Sequence, residues 1–306
     1  MRVVPVLGNP MTRDARREVD RVVEALEVRG VRPELVSAPT AGAAAERARR
    51  LVAEGVERIV CIGGDGIARI GVDAVAGTPT VLGLVPMGTG NDFARAVGLL
   101  EPGGSTAEAD LVSVRVERAL ADPRPIDAIR TTHGWAASVA TLGFSGDVTA
   151  RANGLRWPHG PQRYTVATLL QLPRLRTLDL TLTLDGRRVV TEATLLAIGN
   201  TAFFGGGMRV CPDARPDDGR LQVVVIGGVG RATFLTVFPR VFRGGHVEHP
   251  AVEVYEAGSV RVEQSSGDDV LWADGDPLGP LPVDLEAVPG AVALAGAGSD
   301  PFRSGA

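Results

Sequence analysis

Two periods of apolar and polar positions divide the chain. Val3 to Leu7 is an apolar run closed by Gly8-Asn9-Pro10, which predicts a short strand. Val19, Val22, Val23 and Leu26 then recur at helical spacing among charges as far as Gly30. The alternation continues with a strand over 32–38 and a helix over 40–55 that puts Ala44, Ala48, Leu51 and Val52 on one face. Strands over 56–62 and 80–86 and helices over 67–77 and 91–99 complete it. The run at 56–62 is continuously apolar, as in a strand buried on both faces. Strand–helix alternation predicts a parallel sheet covered by helices, with ligands outside the carboxyl ends of its strands. From Asp127 the period becomes two. Leu178, Leu180, Leu182 and Leu184 alternate with Asp179, Thr181 and Thr183, and Asp185-Gly186 is a hairpin turn signal. Further strands over 219–228, 258–266, 269–276 and 281–288, interrupted by a helix that stops at Pro173, predict two packed sheets. The fold class is therefore α/β plus β. A nucleotide-binding-type α/β domain is expected over 1–125 and a β-sandwich over 126–292, with 121–126 as linker and 293–306 as a frayed tail.

Composition narrows the function classes. Hydrophobic residues make up 44% of the 306 residues and charged residues 22%, enough apolar material for real cores. All 32 basic residues are arginine, and the net charge of −4 gives no electrostatic case for nucleic acid. Two isolated cysteines, Cys61 and Cys211, fit a reducing cytosol better than a disulfide framework. The early Gly8 and Pro10 argue against a signal peptide, and no apolar run is long enough to span a bilayer. A cytoplasmic protein is expected, with peripheral contact at the inner membrane face left open.

Three strand-end loops are candidates for chemistry: 8–10, 63–66 and 86–95. Gly63, Gly64 and Gly66 leave room for backbone N–H groups to meet an anion at the start of a helix, or make a plain tight turn. A chain without lysine has no Walker loop, and no G-x-G-x-x-G follows the first strand. Asp65 would repel a phosphate unless a cation or a hydroxyl stands between. The second glycine loop carries Gly88, Thr89, Asn91 and Asp92, and Thr89 and Asn91 can bond phosphate oxygens or cap the next helix.

These motifs, with "GFSGDVTARAN" (143–153), "GNTAFFGGGMRVCPDARPDDGRLQV" (199–223) and "ADGD" (273–276), resemble the diacylglycerol kinase-like lipid kinases, in their soluble bacterial branch. The resemblance covers nearly the whole chain and implies an N-terminal domain like that of NAD kinase and phosphofructokinase, a C-terminal β-sandwich, and ATP in the cleft between them. It implies transfer of a phosphoryl group from ATP-Mg²⁺ to a lipid hydroxyl such as that of diacylglycerol. It puts Asn9, Thr40, Gly63, Gly64, Asp65, Gly66, Gly88, Thr89, Asn91 and Asp92 around the nucleotide. It puts Mg²⁺ on Asp218 with the carbonyls of Arg215 and Arg220, a donor set that suits magnesium. Either Asp276 or Asp274 would take the proton of the attacking hydroxyl. The chain departs from the family where Ile67 replaces a threonine, Ile70 replaces a frequent glutamate, and Asp276 replaces a glutamate one methylene longer.

Other features carry less. His246 and His249 have no third metal ligand nearby and read as a surface turn. The segments 156–164 and 238–245 mix arginine with aromatic residues, as solvated loops or interfacial segments do. A membrane lipid substrate and a homodimer are compatible with the sequence. So are two rival functions: a NAD kinase-like enzyme with a soluble substrate, and a non-catalytic nucleotide- or lipid-binding regulator.

Overall fold

The computed structural model describes residues 2–8, 13–36, 38–100, 108–155, 157 and 162–298. Asn9, and most of the segment 156–161, lie outside the described residues. The chain forms two compact units, one of Met1–Ile126 with Pro289 onward, the other of Asp127–Val288.

The first unit alternates as its pattern predicts: β1 (Arg2–Gly8), α1 (Arg13–Val28), β2 (Val31–Val36), α2 (Ala41–Ala53), β3 (Arg58–Gly63), α3 (Asp65–Val75), β4 (Val81–Pro86) and α4 (Asp92–Ala96). β1 pairs in parallel with β2 and β3, and β3 with β4. Both faces of β3 and β4 are buried, which is why their sequences are apolar without alternation. α5 (Glu108–Leu120) was not expected. Its stretch "LVSVRV" alternates like a strand, yet Val112, Val116 and Ala119 are the residues buried, a helical face packed with Val22 and Leu26 of α1.

The second unit is entered within β5 (Pro123–Thr131), at Asp127, so the expected linker at 121–126 is already strand at Pro123. It continues through β6 (Gly134–Ala136), β7 (Val139–Gly143), α6 (Phe144–Gly154), α7 (Gln162–Gln171), β8 (Leu178–Leu184) and β9 (Arg187–Gly199). After the two-residue strands β10 (Phe203–Phe204) and β11 (Met208–Arg209) come β12 (Leu221–Gly227), α8 (Arg231–Val237), a 3-10 turn over Phe238–Arg243 and β13 (Val252–Ala257). β14 (Ser259–Gln264), β15 (Val270–Ala273), β16 (Asp276–Pro280) and β17 (Val283–Ala295) close it. β9 is shared: Arg187–Ala193 pairs with β8, and Leu195–Gly199 with both β7 and β12. The resulting two sheets enclose a core that includes Leu142, Leu180, Leu182, Leu196, Val223 and Leu285. The alternation at 178–184 holds, leucines inward and Asp179 outward. Asp185 and Gly186 both have positive φ, as a tight hairpin of this type requires. The outer face of the β7–β9–β12 sheet is covered by α8 and the turn after it, through Val139, Ala197, Val224, Val237 and Val241.

β17 does not stop at the expected domain end. Val283 pairs with Val262 of β14, while Ala293 and Leu294 pair in parallel with Val81 and Leu82 of β4. Residues 293–295 are thus a strand of the first sheet rather than the start of a frayed tail. Among the described residues no helix is long and apolar enough to cross a membrane.

Candidate active site

The two glycine loops of the first unit meet backbone to backbone. A Cβ on Gly88 would lie 2.5 Å from the Cα of Gly64, a contact no side chain survives. Four further bonds hold the loops. Met87 N donates to Gly63 O at 2.9 Å. Asn91, in the left-handed conformation, accepts from Gly88 N at 3.0 Å and donates through Nδ2 to Gly88 O at 2.6 Å. Asp65 Oδ1 accepts from Phe93 N at 3.0 Å, so the first residue of α3 caps the start of α4. Burial raises the Asp65 carboxyl above the ordinary carboxylate range, although N–H groups of Phe93, Asp92 and Asn91 pull the other way. Asp65 and Asn91 therefore shape the loops with the groups that sequence reasoning aimed at a ligand.

What remains for a ligand is the helix start itself. Gly64 precedes α3 as its cap residue and offers no side-chain cap, so the N–H groups of Asp65 and Gly66 have no intrahelical acceptor. A Cβ on Gly66 would meet nothing within 4 Å, so the protein's own packing does not demand that glycine. Thr89 is exposed on the second loop, and Asp92 is buried at the start of α4. Thr40 caps α2, its Oγ1 accepting from Ala43 N at 3.2 Å. The two departures separate here: Ile67 is half-buried and folds back over Gly63, while Ile70 is a core residue.

In the second unit, "ADGD" is a hairpin turn between β15 and β16, with Asp274 and Gly275 both at positive φ. Asp274 is committed to the backbone. Its Oδ2 accepts from Ala137 N at 2.6 Å, and its Oδ1 from Ser138 N at 2.8 Å and Val139 N at 3.3 Å. Asp276 is exposed as the first residue of β16. α6 braces this turn: Asn153 Nδ2 donates to Gly275 O, and the Trp272 ring lies so close to Gly146 that a Cβ there would stand 2.7 Å from it.

The "DDG" turn is linked to that strand by a side chain the motif reading passed over. Asn200, fully buried, donates through Nδ2 to Ala137 O at 3.1 Å and to Asp127 O at 2.9 Å. The Asp127 carboxylate in turn accepts from Gly219 N at 2.7 Å, next to Asp218. Its buried amide was the one available signal, since "GN" after a buried strand is the place for such a brace. Arg215 turns its guanidinium to Asp217, and Arg220 N donates to Asp218 Oδ1. Burial raises the Asp218 carboxyl, and Asp127 and Asp217 add to it, against the N–H of Arg220 and the charge of Arg215. Among the described residues no three His, Cys, Asp or Glu side chains are grouped to hold a metal. The Asp218 carboxylate, with Asp127 and Asp217 near enough to raise it, is a donor type that fits a magnesium ion keeping its waters.

β7, β9 and β12 also floor a narrow apolar cavity of about 40 Å³, walled by Phe144, Val148, Met208, Phe234 and Phe238. Thr141 lines it, and its Oγ1 is buried without a hydrogen-bond partner. Thr141 pairs with Trp272, two residues before Asp274.

Residues 4–121 match the diacylglycerol kinase catalytic domain family, and 137–296 match the YegS C-terminal NAD kinase beta sandwich-like domain family. A diacylglycerol kinase of Mycobacterium tuberculosis (strain ATCC 25618 / H37Rv) is 38% identical over 242 residues, covering 79% of this chain and 77% of the relative. A diacylglycerol kinase of Staphylococcus carnosus (strain TM300) is 27% identical, covering 88% and 86%. A crystal structure of a diacylglycerol kinase from Bacillus anthracis str. Sterne superposes with a TM-score of 0.70 at 19% identity, over 96% of both chains.

Proposed function

Because this chain belongs to the diacylglycerol kinase-like lipid kinase family, we propose that it transfers the γ-phosphate of ATP to a lipid hydroxyl, that of diacylglycerol first, giving phosphatidic acid. The observation that carries this reading is the pair of interlocked glycine loops beside the uncapped start of α3. Such a helix start binds phosphate through backbone N–H groups and needs no lysine. The phosphates of ATP rest on Gly63 to Gly66, with the Thr89 hydroxyl on their other side. Asp65 and Asn91 hold the loops in register for them. Asp218, with the carbonyls of Arg215 and Arg220, would hold Mg²⁺, which supplies charge neutralisation for phosphoryl transfer.

Asp276 is the base. Its neighbour Asp274 already accepts three backbone N–H groups. Asp276 takes the proton of the lipid hydroxyl as that oxygen bonds to the γ-phosphorus, and the bond from phosphorus to the bridging oxygen breaks to release ADP. The apolar lining beside this turn suits the acyl part of the acceptor, which would enter by parting the side chains of the narrow cavity.

The test is transfer of labelled γ-phosphate from ATP-Mg²⁺ to a total lipid extract in mixed micelles, beside Asp276→Asn. A labelled lipid made by the wild type alone supports the reading and identifies the acceptor. Labelling of NAD and of no lipid would replace it with a soluble-substrate kinase, and nucleotide binding without turnover would replace it with a regulator.

A further inference from the structure

The helices of the second unit have an outer surface that the phosphotransfer chemistry does not use. α6, α7 and α8 pack together through Phe144, Val148, Ala152, Ala167 and Phe234, and Arg231 donates to Pro173 O to join the start of α8 to the end of α7. Beside polar residues such as Arg151, Gln162 and Thr236, their outward positions include large apolar side chains. Leu169 is 57% exposed, Leu170 46%, Leu235 47% and Phe242 44%. Trp157, on the connection between α6 and α7, is 76% exposed. These five are a majority of the exposed large apolar side chains among the described residues, and the others are scattered over α1, β2, β9 and β13.

Charge is segregated on the same elements. The chain has more acidic than basic residues, yet no Asp or Glu occurs from Val148 to Leu178 or from Gly219 to Val247. Those stretches supply α7, α8 and the turn after it, and their only formal charges besides histidine are arginines. Arg240 and Arg243 are exposed and make no ion pair among the described residues. A file of phenylalanines then leads inward. Phe242 packs edge-on against Phe238 (6.2 Å between ring centres), Phe238 stacks on Phe234 (5.7 Å), and Phe234 meets Phe144 in the cavity wall (4.8 Å).

We propose that this helical layer is the face by which the protein sits on an anionic lipid bilayer. Leu169, Leu170, Leu235 and Phe242 enter the boundary between headgroups and acyl chains, and Arg240 and Arg243 meet lipid phosphates. A protein partner or a second copy would call for carboxylates somewhere to complement, and would not need the apolar file to run on into a cavity. The proposal rests on the lipid-kinase reading for its purpose, since an enzyme that takes its acceptor from a bilayer gains from docking the cavity there. Its measurement does not depend on turnover.

The experiment is co-sedimentation of the full chain with vesicles of phosphatidylglycerol in phosphatidylcholine, and with phosphatidylcholine alone. Wild type is expected to sediment with the anionic vesicles, less so as salt rises. R240E/R243E is expected to lower that partitioning at least about tenfold. L169S/L235S, which removes apolar insertion but no charge, is expected to lower it as well, with an unfolding temperature like that of wild type. Wild type that stays in the supernatant, or variants that partition as wild type does, would overturn the proposal. So would an L169S/L235S chain of half the native mass in solution, which would mean that a second copy covers the face. Phosphotransfer to a short-chain diacylglycerol in detergent micelles, run on the same proteins, separates the two ideas. Vesicle binding with no lipid product would sink the kinase reading and leave the docking face standing.

Discussion

Asp274 and Asp276 are two residues apart, and their surroundings give them different work. The Asp274 carboxylate is filled by the N–H groups of Ala137, Ser138 and Val139. Asp274→Asn would turn an N–H donor toward a backbone donor and is expected to lower stability by about 1–3 kcal/mol in urea unfolding. Asp276→Asn is expected to change stability far less and to lower turnover on the order of 10²–10⁴-fold. An Asp276→Asn chain with native turnover would remove that carboxyl from the base role. Asp65 makes a pH prediction. Burial dominates its environment, so its folded pKa is raised. A raised carboxyl binds its proton more tightly folded than unfolded, so its contribution is most favourable in acid and is lost as pH rises through the raised value. Asp65→Asn keeps an oxygen for Phe93 N and has no such loss. The stability of the variant relative to wild type should therefore increase with pH just above the ordinary carboxylate range. A relative stability that fell with pH would mean that the N–H bonds outweigh burial. The sequence made Asp65 conspicuous, but its partner, the backbone of Phe93, comes from another loop that no local pattern connects to it.

At the scale of elements, sequence was most informative where burial is one-sided and local. The leucines of β8 and the Asp-Gly turn after them are read directly, because alternation and turn chemistry agree. α5 and α6 were missed for opposite reasons. α5 is rich in valine, and only its packing on α1 and β4 decides which face is buried. α6 contains two glycines, a threonine and an asparagine, poor helix formers individually, and is held by contacts on several sides, including Trp272 on Gly146. The loop pair allows a test that divides architecture from ligand. Gly88→Ala would force a Cβ to 2.5 Å from Gly64 Cα and is expected to cost about 1–3 kcal/mol of stability along with nucleotide affinity. Gly66→Ala meets open space, so its stability should stay within about 0.5 kcal/mol of wild type. If phosphates lie against the first turn of α3, Gly66→Ala should still raise the KM for ATP. Calorimetric unfolding and ATP titration of the two variants would check this, and an unchanged KM in Gly66→Ala would move the phosphates elsewhere.

At the scale of the whole molecule, two domains were legible from the change of period, but the return of the chain was not. Periodicity reports what one segment buries and says nothing about which distant strand it will pair with. The final strand looks like the last of the β-rich half because its first residues, Val283 and Leu285, do alternate into that core. Its last residues belong to the parallel sheet, where Ala293 and Leu294 lie beside Val81 and Leu82, and Val292, Leu294 and Ala295 are fully buried. Gly77 N donates to Ala291 O at 2.8 Å, tying the end of α3 to the same strand. A chain stopped after Val288 would therefore leave β4 as an open edge and expose the face that Val292 and Leu294 cover. Each buried aliphatic side chain of that size is worth about 1.5–3 kcal/mol, and the lost strand bonds add to it. Against a total stability of about 5–15 kcal/mol the first unit should fail to fold, although every glycine-loop residue is still present. Limited proteolysis of the truncated chain should then digest residues before Ile126 and spare the second unit. A truncated chain whose first unit resisted protease would show that β1 to β4 suffice without the returning strand.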